Sequence, residues 1–157
     1  MMDPEVVNKK INEYEKYIEE KLKSDLKEIE LKLSDKVKKY KDWEDVKEIA
    51  KTVKEFKEKD RDMLVRVDIG NNIQVTGEIT DYERTYVKIG LGYLLEMECR
   101  EADKYSDIRL RLLKKEIDHL RKLAVNVKVH IKLVLLAINE LQASLITETV
   151  KNVRKIK

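Results

Sequence analysis

Apolar residues recur every three or four positions through the first third of the chain. The series runs from Val7 to Phe56 in fourteen steps of 3 or 4 residues, with a mean of 3.5. That mean matches the coiled-coil repeat, whereas an isolated amphipathic helix repeats every ~3.6 residues. Pro4 and Glu5 favour a helix start, because the first turn does not use the donor that proline lacks and an acid suits the positive end of the helix. The pattern predicts a helix over residues 4–59 whose apolar stripe needs a second helix to cover it.

A second stripe of the same kind occupies the last third of the chain. From Ile117 onward the apolar residues alternate steps of 3 and 4, and a five-residue gap upstream can be bridged by Leu113. Beyond the gap the stripe continues through four residues: Ala102, Tyr105, Ile108 and Leu112. We therefore expect a second helix over residues 100–155, antiparallel to the first, with Ile18 close to Ile138.

Between the two stripes, over residues 62–98, the pattern changes from helical spacing to alternation. Apolar and polar residues alternate on both sides of Gly70, Asn71 and Asn72, three residues that tolerate a positive φ. A second alternating pair of segments follows, joined through Gly-Leu-Gly. This segment predicts two β-hairpins that form one small sheet with one apolar face.

The predicted sheet is too small to stand alone. Two hairpins are marginally stable in water, and their free edges can accept further strands. We therefore expect other chains to complete the sheet, which makes residues 62–98 the assembly platform of the protein. The residues assigned to subunit assembly are Val65, Val67, Ile69, Ile73, Val75, Ile79, Val87, Ile89, Tyr93 and Leu95.

Composition narrows the class of protein. Charged residues make up 41% of the 157 residues, aromatic residues make up 6%, and there is one proline, as is typical of long helices. The 34 basic and 31 acidic residues nearly balance, so the net charge of +3 does not indicate direct binding to nucleic acid. Residues 1–10 lack the apolar core of a signal peptide, and no run approaches the ~18 apolar residues of a membrane span. We expect a soluble intracellular protein of one domain that makes no membrane contact.

The residue types that carry catalysis or bind metals form no constellation. Candidate nucleophiles, acids and bases are scattered, and the Gly-Leu-Gly segment lacks the helix start that follows a phosphate-binding loop. His119 and His130 are eleven residues apart, almost on one helical face. That spacing permits a metal site, but histidines that face solvent are the simpler interpretation. Cys99 has no partner for an internal disulfide, and a small apolar role is favoured over a reactive thiol. We expect no enzyme activity, no cofactor and no metal.

One segment is more apolar than a two-helix seam requires. Residues 131–138 are apolar at every position except Lys132, so apolar side chains point in nearly every direction around the helix. The seam uses three of them, and Leu133, Leu135 and Leu136 are left facing outward. Two interpretations stay open: a wider face packed against the first helix, or a docking surface for a client or partner helix.

The order helix, two β-hairpins, helix resembles the α class of prefoldin subunits, whereas the β class has one hairpin. The central segment is similar to that class in detail. It contains VDIG at residues 67–70, followed by YVKIGLGYLLEMECREADKY at residues 86–105. The resemblance covers about residues 12–145. It implies a single prefoldin-like subunit spanning residues 1–157, mostly α with a small β region, built as a long antiparallel helical coiled-coil hairpin with two central β-hairpins.

The resemblance also implies partners. Subunits of this kind assemble with other prefoldin-type subunits of the α and β classes, and the assembly binds unfolded or partly assembled client proteins. Five apolar residues near the helix ends are then either frayed ends or hydrophobic fingertips that hold clients: Val6, Val7, Ile146, Val150 and Val153.

Within the α class, three segments are similar to one prefoldin-like subunit type: residues 14–26, residues 35–40 and, above all, NVKVHIKLVLLAINELQ at residues 126–142. This likeness implies a cochaperone assembly with RuvB-like ATPases, contacts to transcription factors as a coregulator, and a location in the cytoplasm and nucleus. Two alternatives remain. One is an ordinary prefoldin α subunit that delivers clients to the chaperonin, and the other is a structural coiled-coil adaptor.

Overall fold

The computed structural model describes the backbone of residues 4–155 and the side chains of residues 4–147. Two helical segments flank two antiparallel β-hairpins, which confirms the predicted fold class. In chain order the elements are helix α1 (Pro4–Tyr17), a π-helical turn (Ile18–Leu22), helix α2 (Lys23–Glu58), strands β1 (Met63–Asp68), β2 (Gln74–Ile79), β3 (Arg84–Gly90) and β4 (Tyr93–Glu98), and helix α3 (Cys99–Lys155).

The chain divides into two compact units. The terminal unit contains the residues up to Asp35 and those from Ile117 onward, and the central unit runs from Lys36 to Glu116. Both hairpins therefore belong to the central unit, whereas the apolar segment of residues 131–138 belongs to the terminal unit.

The terminal unit is held together by the predicted seam. Ile18 and Ile138 share one buried cluster, as the antiparallel arrangement predicts. An ion pair from Lys128 Nζ to Glu30 Oε1, 3.2 Å long, lies beside it. The other buried members are Val7, Ile11 and Leu22, and half-buried Val127, Ile131, Val134, Leu141 and Leu145 pack against them.

A π-helical turn interrupts the first helix at Ile18–Leu22. The apolar steps from Tyr14 through Ile18 and Leu22 to Leu26 are all four residues long, which exceeds the coiled-coil mean. A π turn holds more residues than an α turn, because its hydrogen bonds reach one residue further along the chain. The wider turn therefore keeps both Ile18 and Leu22 on the buried side, where each is 4% exposed.

The central unit has its own apolar cluster around the only tryptophan of the chain. The rings of Trp43 and Tyr105 meet edge to face with centroids 5.3 Å apart, and the Arg109 guanidinium lies 5.7 Å from the Trp43 ring centre. Edge-to-face packing suits the quadrupoles of aromatic rings, and the cation lies within the range of a cation–π contact. The buried members are Trp43, Ala50, Val87, Met97, Ala102 and Leu113.

Two ion pairs join α2 to α3 in the central unit. Lys36 Nζ lies 2.6 Å from Glu116 Oε2, and Lys47 pairs with Asp107. Residue numbers rise along α2 as they fall along α3, so the two helices are antiparallel there.

The seam of the central unit differs from the predicted stripe. Ile108 and Leu112 are each 49% exposed, whereas Ser106 is fully buried and Leu113 is 3% exposed. The Ser106 hydroxyl donates to the carbonyl oxygen of Ala102 at 2.7 Å, so its burial leaves no unpaired donor. The seam therefore passes through Ser106 and Leu113, and the predicted route through Ile108 and Leu112 is wrong.

The helix ends next to the hairpins carry recognisable caps. Asp60 has a φ of 50° and its N–H donates to the carbonyl of Lys57 at 3.2 Å. The N–H of Arg61 donates to the carbonyl of Phe56 at 3.2 Å. These two bonds form a Schellman motif, which ends the helix with a residue in the left-handed region. At the start of α3, Glu101 Oε2 accepts the N–H of Glu98 at 3.1 Å, as the third-position acid of a capping box does.

The two hairpins do not form one sheet. β1 pairs only with β2 and β3 pairs only with β4, so the described residues contain two separate two-stranded sheets. The prediction of one small sheet with one apolar face is therefore wrong. Each hairpin presents its own face, and these faces differ in what covers them.

Helix α3 also corrects the expectation about membrane-length segments. By length and composition alone, the part Cys99–Thr147 contains an 18-residue window apolar enough to cross a membrane, with a mean hydropathy of 1.4. The sequence expectation counted only uninterrupted apolar runs and missed it. In this chain the apolar residues of α3 include those that pack against the first helix in the terminal unit.

Candidate assembly surface

The turn of hairpin 1, the β1–β2 pair, fixes which residues face each other. Gly70, Asn71 and Asn72 have φ values of 98°, 52° and 60°, the left-handed region that glycine and asparagine adopt most readily. The Asp68 carboxylate accepts the N–H of Gly70 at 2.8 Å. The Ile73 N–H donates to the carbonyl of Gly70 at 3.0 Å. The predicted positive-φ turn is confirmed.

The register of hairpin 1 collects its apolar side chains on one face. Val67 lies opposite Val75, whereas Arg66 lies opposite Thr76 on the other face. Directly paired residues share a face in an antiparallel ladder, and the faces alternate along each strand. The apolar face contains Met63, Val65, Val67 and Ile69 with Ile73, Val75, Gly77 and Ile79.

The apolar face of hairpin 1 is largely uncovered. Val67, Ile69, Ile73 and Val75 are between 42% and 61% exposed, and no residue of this hairpin belongs to either buried cluster. Both outer strand edges also keep backbone donors and acceptors that no described strand pairs with. An exposed apolar face together with free edges is the arrangement by which strands from other chains are added to a sheet.

Hairpin 2, the β3–β4 pair, is partly covered by its own chain. Val87 and Met97 are 3% and 8% exposed and belong to the cluster around Trp43. Val87 lies opposite Leu95 on the same face of the hairpin, but Leu95 is half exposed and does not belong to that cluster. The prediction that Val87 serves subunit assembly is therefore wrong, since the helices of the central unit already bury its side chain.

The outer half of hairpin 2 remains open. A register shift between Lys88 and Gly90 marks a bulge that precedes the turn. Ile89 and Tyr93 are exposed beside the bulge, and Leu91 at the tip is almost completely exposed at a φ of 50°. An apolar side chain held in solvent at a strained turn gains from being covered by another chain.

Sequence reasoning missed several exposed apolar residues of the hairpins. Leu64, Tyr86 and Leu94 lie on the faces assigned to polar residues, yet each is more than 60% exposed. Leu64, Tyr86 and Leu94 lie directly opposite Glu78, Glu96 and Lys88 respectively, and paired residues share a face of the hairpin. The signal available in the sequence was an apolar residue at an out-of-phase position of β1, β3 and β4.

Hydrogen bonds at the hairpin bases position both hairpins on the helices. The Tyr82 hydroxyl accepts the N–H of Met63 at 3.0 Å and donates to the carbonyl of Arg61 at 3.3 Å. The N–H of Cys99 donates to the carbonyl of Glu83 at 2.9 Å. Tyr82 thus ties the start of hairpin 1 to the segment before hairpin 2, and the Cys99 bond extends the β3–β4 ladder to the first residue of α3.

The Asp81 carboxylate caps the turn between the hairpins. Its Oδ1 accepts the N–H of Glu83 at 2.8 Å and that of Arg84 at 3.2 Å. Because these bonds favour the charged form, they hold the pKa of Asp81 below its ordinary value. Next to this turn, Lys57 Nζ lies 2.7 Å from Glu83 Oε1, and that hydrogen bond raises the pKa of Lys57.

The base of the hairpins also borders a groove of about 740 Å³ lined by Lys54, Lys57, Glu58, Glu83 and Cys99 among others. The Cys99 thiol is buried, and burial raises its pKa. A buried thiol with a raised pKa is a weak nucleophile. Within the described residues no group of three or more His, Cys, Asp or Glu side chains is placed to hold a metal ion, and His119 and His130 are exposed.

The residues assigned to clients or partners are dispersed over the terminal unit. Leu133, Leu135, Leu136 and Ile146 are exposed on α3, and Val6 is exposed on α1. Val7 is instead 4% exposed within the terminal cluster, so its assignment to a client-binding surface is wrong. Val7 shares the terminal cluster with residues of α3, and this packing buries the Val7 side chain. Val150 and Val153 lie outside the residues whose side chains are described.

Comparisons with known proteins agree on the family. The sequence model described as Prefoldin subunit matches residues 41–144. The chain is 32% identical over 139 residues to Protein UXT of Homo sapiens, covering 88% of this chain and 87% of the human protein. It is 29% identical over 136 residues to Protein UXT homolog of Nematostella vectensis, covering 87% of this chain and 86% of that protein.

Among solved structures, the chain is similar to a cryo-EM structure of filamentous PFD from Methanocaldococcus jannaschii. The TM-score is 0.41 and the sequence identity 19%, over 87% of this chain and 98% of that chain.

The family model spans well over half of the chain, and the similarity to human UXT extends over most of both proteins. These matches confirm the resemblance inferred from the central hairpins and from residues 126–142, including the particular subunit type, which is UXT. The chain therefore belongs to the prefoldin subunit family, as a prefoldin-like subunit of the UXT type.

Proposed function

We propose that this chain is a non-enzymatic cochaperone subunit that assembles with other prefoldin-type subunits, of the α and β classes, through the open faces of its hairpins. The assembly binds unfolded or partly assembled client proteins. The similarity to UXT proteins supports the further roles that the resemblance implies: work beside RuvB-like ATPases, and transcription coregulation in the nucleus as well as activity in the cytoplasm.

One observation carries the proposal: the uncovered apolar face of hairpin 1. A valine or isoleucine side chain gains about 1.5–3 kcal/mol on full burial. Because Val67, Ile69, Ile73 and Val75 are between 42% and 61% exposed, roughly half of that gain is still available at each. An isolated two-stranded hairpin is also marginal in water. A partner strand or face that covers hairpin 1 therefore stabilises the assembly and the hairpin together.

The hairpin offers a matched pair of substitutions that tests this proposal. Val67→Asp with Val75→Asp places two carboxylates on the apolar face, and Arg66→Asp with Thr76→Asp places two on the opposite face one residue away. A carboxylate buried without a partner costs several kcal/mol, so the first variant should lose assembly and the second should keep it. Helix content should be unchanged in both, because hairpin 1 contributes to neither helical cluster.

The measurement is affinity purification of each tagged variant from extract of its own cells, with mass spectrometry of the recovered proteins and circular dichroism of the isolated chain. Prefoldin-type subunits should be recovered with wild type and with the Arg66, Thr76 variant only. Retention of these subunits by the Val67, Val75 variant contradicts assembly through this face.

The same purification separates the UXT-type role from its alternatives. Recovery of RuvB-like ATPases with the wild type supports the proposed role. Recovery of only a standard prefoldin set with chaperonin supports an ordinary α subunit. A discrete stable species that recovers no prefoldin-type chain supports a structural adaptor.

A further inference from the structure

Helix α3 carries a second apolar stripe on the side opposite its seam. Val125, Val129, Leu133 and Leu136 follow each other at steps of 4, 4 and 3 residues and are between 49% and 58% exposed. At about 100° of rotation per residue, Val129 and the buried Ile138 point in opposite directions. We call these four residues the outer stripe.

The outer stripe is not part of the packing within the chain. The terminal cluster uses Val127, Ile131, Val134 and Ile138 of the same helix segment, together with residues of α1 and the π turn. None of the outer-stripe residues belongs to either cluster of the described residues. The surplus apolar character of this segment is therefore a second face, and it does not widen the first one.

The charges beside the outer stripe are basic, and the nearest acid along α3 is Glu140, one turn beyond Leu136 at the far end of the stripe. Residues 119–139 contain Arg121, Lys122, Lys128 and Lys132 but no Asp or Glu, although about one residue in five of the whole chain is acidic. Lys128 pairs with Glu30, and Arg121 pairs with Asp118. Lys122 and Lys132 form no ion pair with any described residue, and both lie at the borders of the stripe.

The shape of the stripe indicates the kind of surface it fits. The stripe spans about 80° of the helix circumference and roughly 17 Å along the axis. A helix that lies on a lipid surface needs a broader apolar face, and the opposite side of α3 is already occupied by the terminal cluster. A narrow row with steps of 3 and 4 residues instead matches the apolar row of another helix.

We infer that the outer stripe binds an amphipathic helix of a partner protein whose apolar row is flanked by acidic residues. Leucine, isoleucine or valine side chains of that helix lie against Val125, Val129, Leu133 and Leu136, and its carboxylates lie within reach of Lys122 and Lys132. The inference deepens the partner binding of the proposed function and rests on it for the setting in which such a helix is met. None of the four residues of the outer stripe belongs to a hairpin.

Two designed peptides test the inference on the isolated full-length chain. Both have leucines at steps of 4, 3 and 4 residues, and they differ only in carrying glutamate or lysine beside those leucines. Fluorescence anisotropy should give at least a ~10-fold lower Kd for the glutamate peptide at ~0.05 M salt, and the difference should shrink at ~0.5 M salt because charges at the border of the stripe are screened.

Substitutions on the chain locate the binding surface. Leu133→Lys with Leu136→Lys should raise the Kd for the glutamate peptide at least ~10-fold, whereas Leu31→Lys should not change it, although Leu31 is an equally exposed leucine of the same unit. Lys122→Glu with Lys132→Glu should reverse the preference in favour of the lysine peptide. All three changes lie on exposed positions, so melting temperatures should stay within about 2 °C of wild type.

Several outcomes overturn the inference. Equal binding of both peptides at low salt removes the charge argument, and unchanged binding by the Leu133, Leu136 variant removes the site. A melting temperature that falls steeply in that variant means that the two leucines belong to the core. Binding to phosphatidylserine vesicles without binding to the glutamate peptide assigns the stripe to a membrane surface.

The hairpin variant Val67→Asp with Val75→Asp separates this inference from the proposed function. It should bind the glutamate peptide as wild type does, even where it no longer recovers other subunits. Loss of peptide binding in that variant places the peptide on hairpin 1 and overturns the inference without affecting the assembly proposal.

Discussion

The adjacent leucines of α3 provide a direct test of where the seam runs. Apolar spacing assigns Leu112 to the seam, but Leu112 is 49% exposed and Leu113 is 3% exposed within the cluster around Trp43. Leu112→Ala and Leu113→Ala remove the same three carbon atoms from neighbouring positions of one helix, so helix propensity changes equally in both. Any difference in stability therefore reports burial.

The structure sets the size of that difference. Three buried carbons contribute about 0.8 kcal/mol each, so Leu113→Ala loses about 2.4 kcal/mol of transfer free energy and a further cavity contribution, for a total of about 3–4 kcal/mol. At Leu112 half of the side chain is already in water and no closed cavity forms, so the loss should be about 1 kcal/mol.

Trp43 makes the measurement selective for the central unit, because it is the only tryptophan and lies in the same cluster as Leu113. Urea unfolding followed by Trp43 fluorescence should give a midpoint that falls by about 1–3 M for Leu113→Ala and far less for Leu112→Ala. Equal losses, or a larger loss at Leu112, would refute the seam through Ser106 and Leu113.

Two further predictions concern how the helices pair. Cysteines introduced as Ile18→Cys and Ile138→Cys in a Cys99→Ser background should form a disulfide within one chain, because both residues share the terminal cluster; an equal yield from Ile18→Cys paired with Ala124→Cys, or only intermolecular products, would contradict the pairing. The hydrogen bond between Lys47 and Asp107 lowers the pKa of Asp107 and raises that of Lys47. Its stabilisation is then complete between the ordinary pKa values of about 3.9 and about 10.4, and it is lost as the pH falls through the lowered Asp107 pKa or rises through the raised Lys47 pKa. A double-mutant cycle of Lys47→Met and Asp107→Asn should show weaker coupling in melting temperature at pH ~2 than at pH ~7, and equal coupling at both pH values would count against this assignment.

The fold was predictable because two periodicities dominate the chain. Spacing by 3.5 residues identified both helical segments, and alternation with a Gly-Asn-Asn turn identified hairpin 1, whose positive φ values follow from those residue types. Ser106 escaped prediction because a pattern of apolar residues cannot include a hydroxyl. Its burial depends on a hydrogen bond to Ala102 within the same helix, which a binary pattern does not encode.

For the candidate surface, alternation predicted which face of each hairpin is apolar but not which of these faces is covered. Alternation assigned Val67 and Val87 to apolar faces by the same rule, yet one is half exposed and the other is 3% exposed. Which apolar face is covered depends on where the helices of the central unit pass, and that is a tertiary property. Val7 was misassigned for the same reason, because its neighbour on α3 is distant in sequence.

The difference between the hairpins has a consequence for how assembly and folding are linked. Val87 and Met97 of hairpin 2 are buried in the same cluster as Trp43 and Ala102. A change at the base of hairpin 2 therefore alters the helical packing of the central unit as well as any assembly contact. No residue of hairpin 1 belongs to either helical cluster, so we expect changes at Val67 or Val75 to have little effect on the helices. Because neither helical cluster contains a residue of hairpin 1, uncovering its apolar face returns that face to water and leaves both clusters intact. If the chain assembles through hairpin 1 as proposed, covering this hairpin is a step that can be reversed without unfolding the helical clusters, whereas Val87 and Met97 keep hairpin 2 anchored in either state.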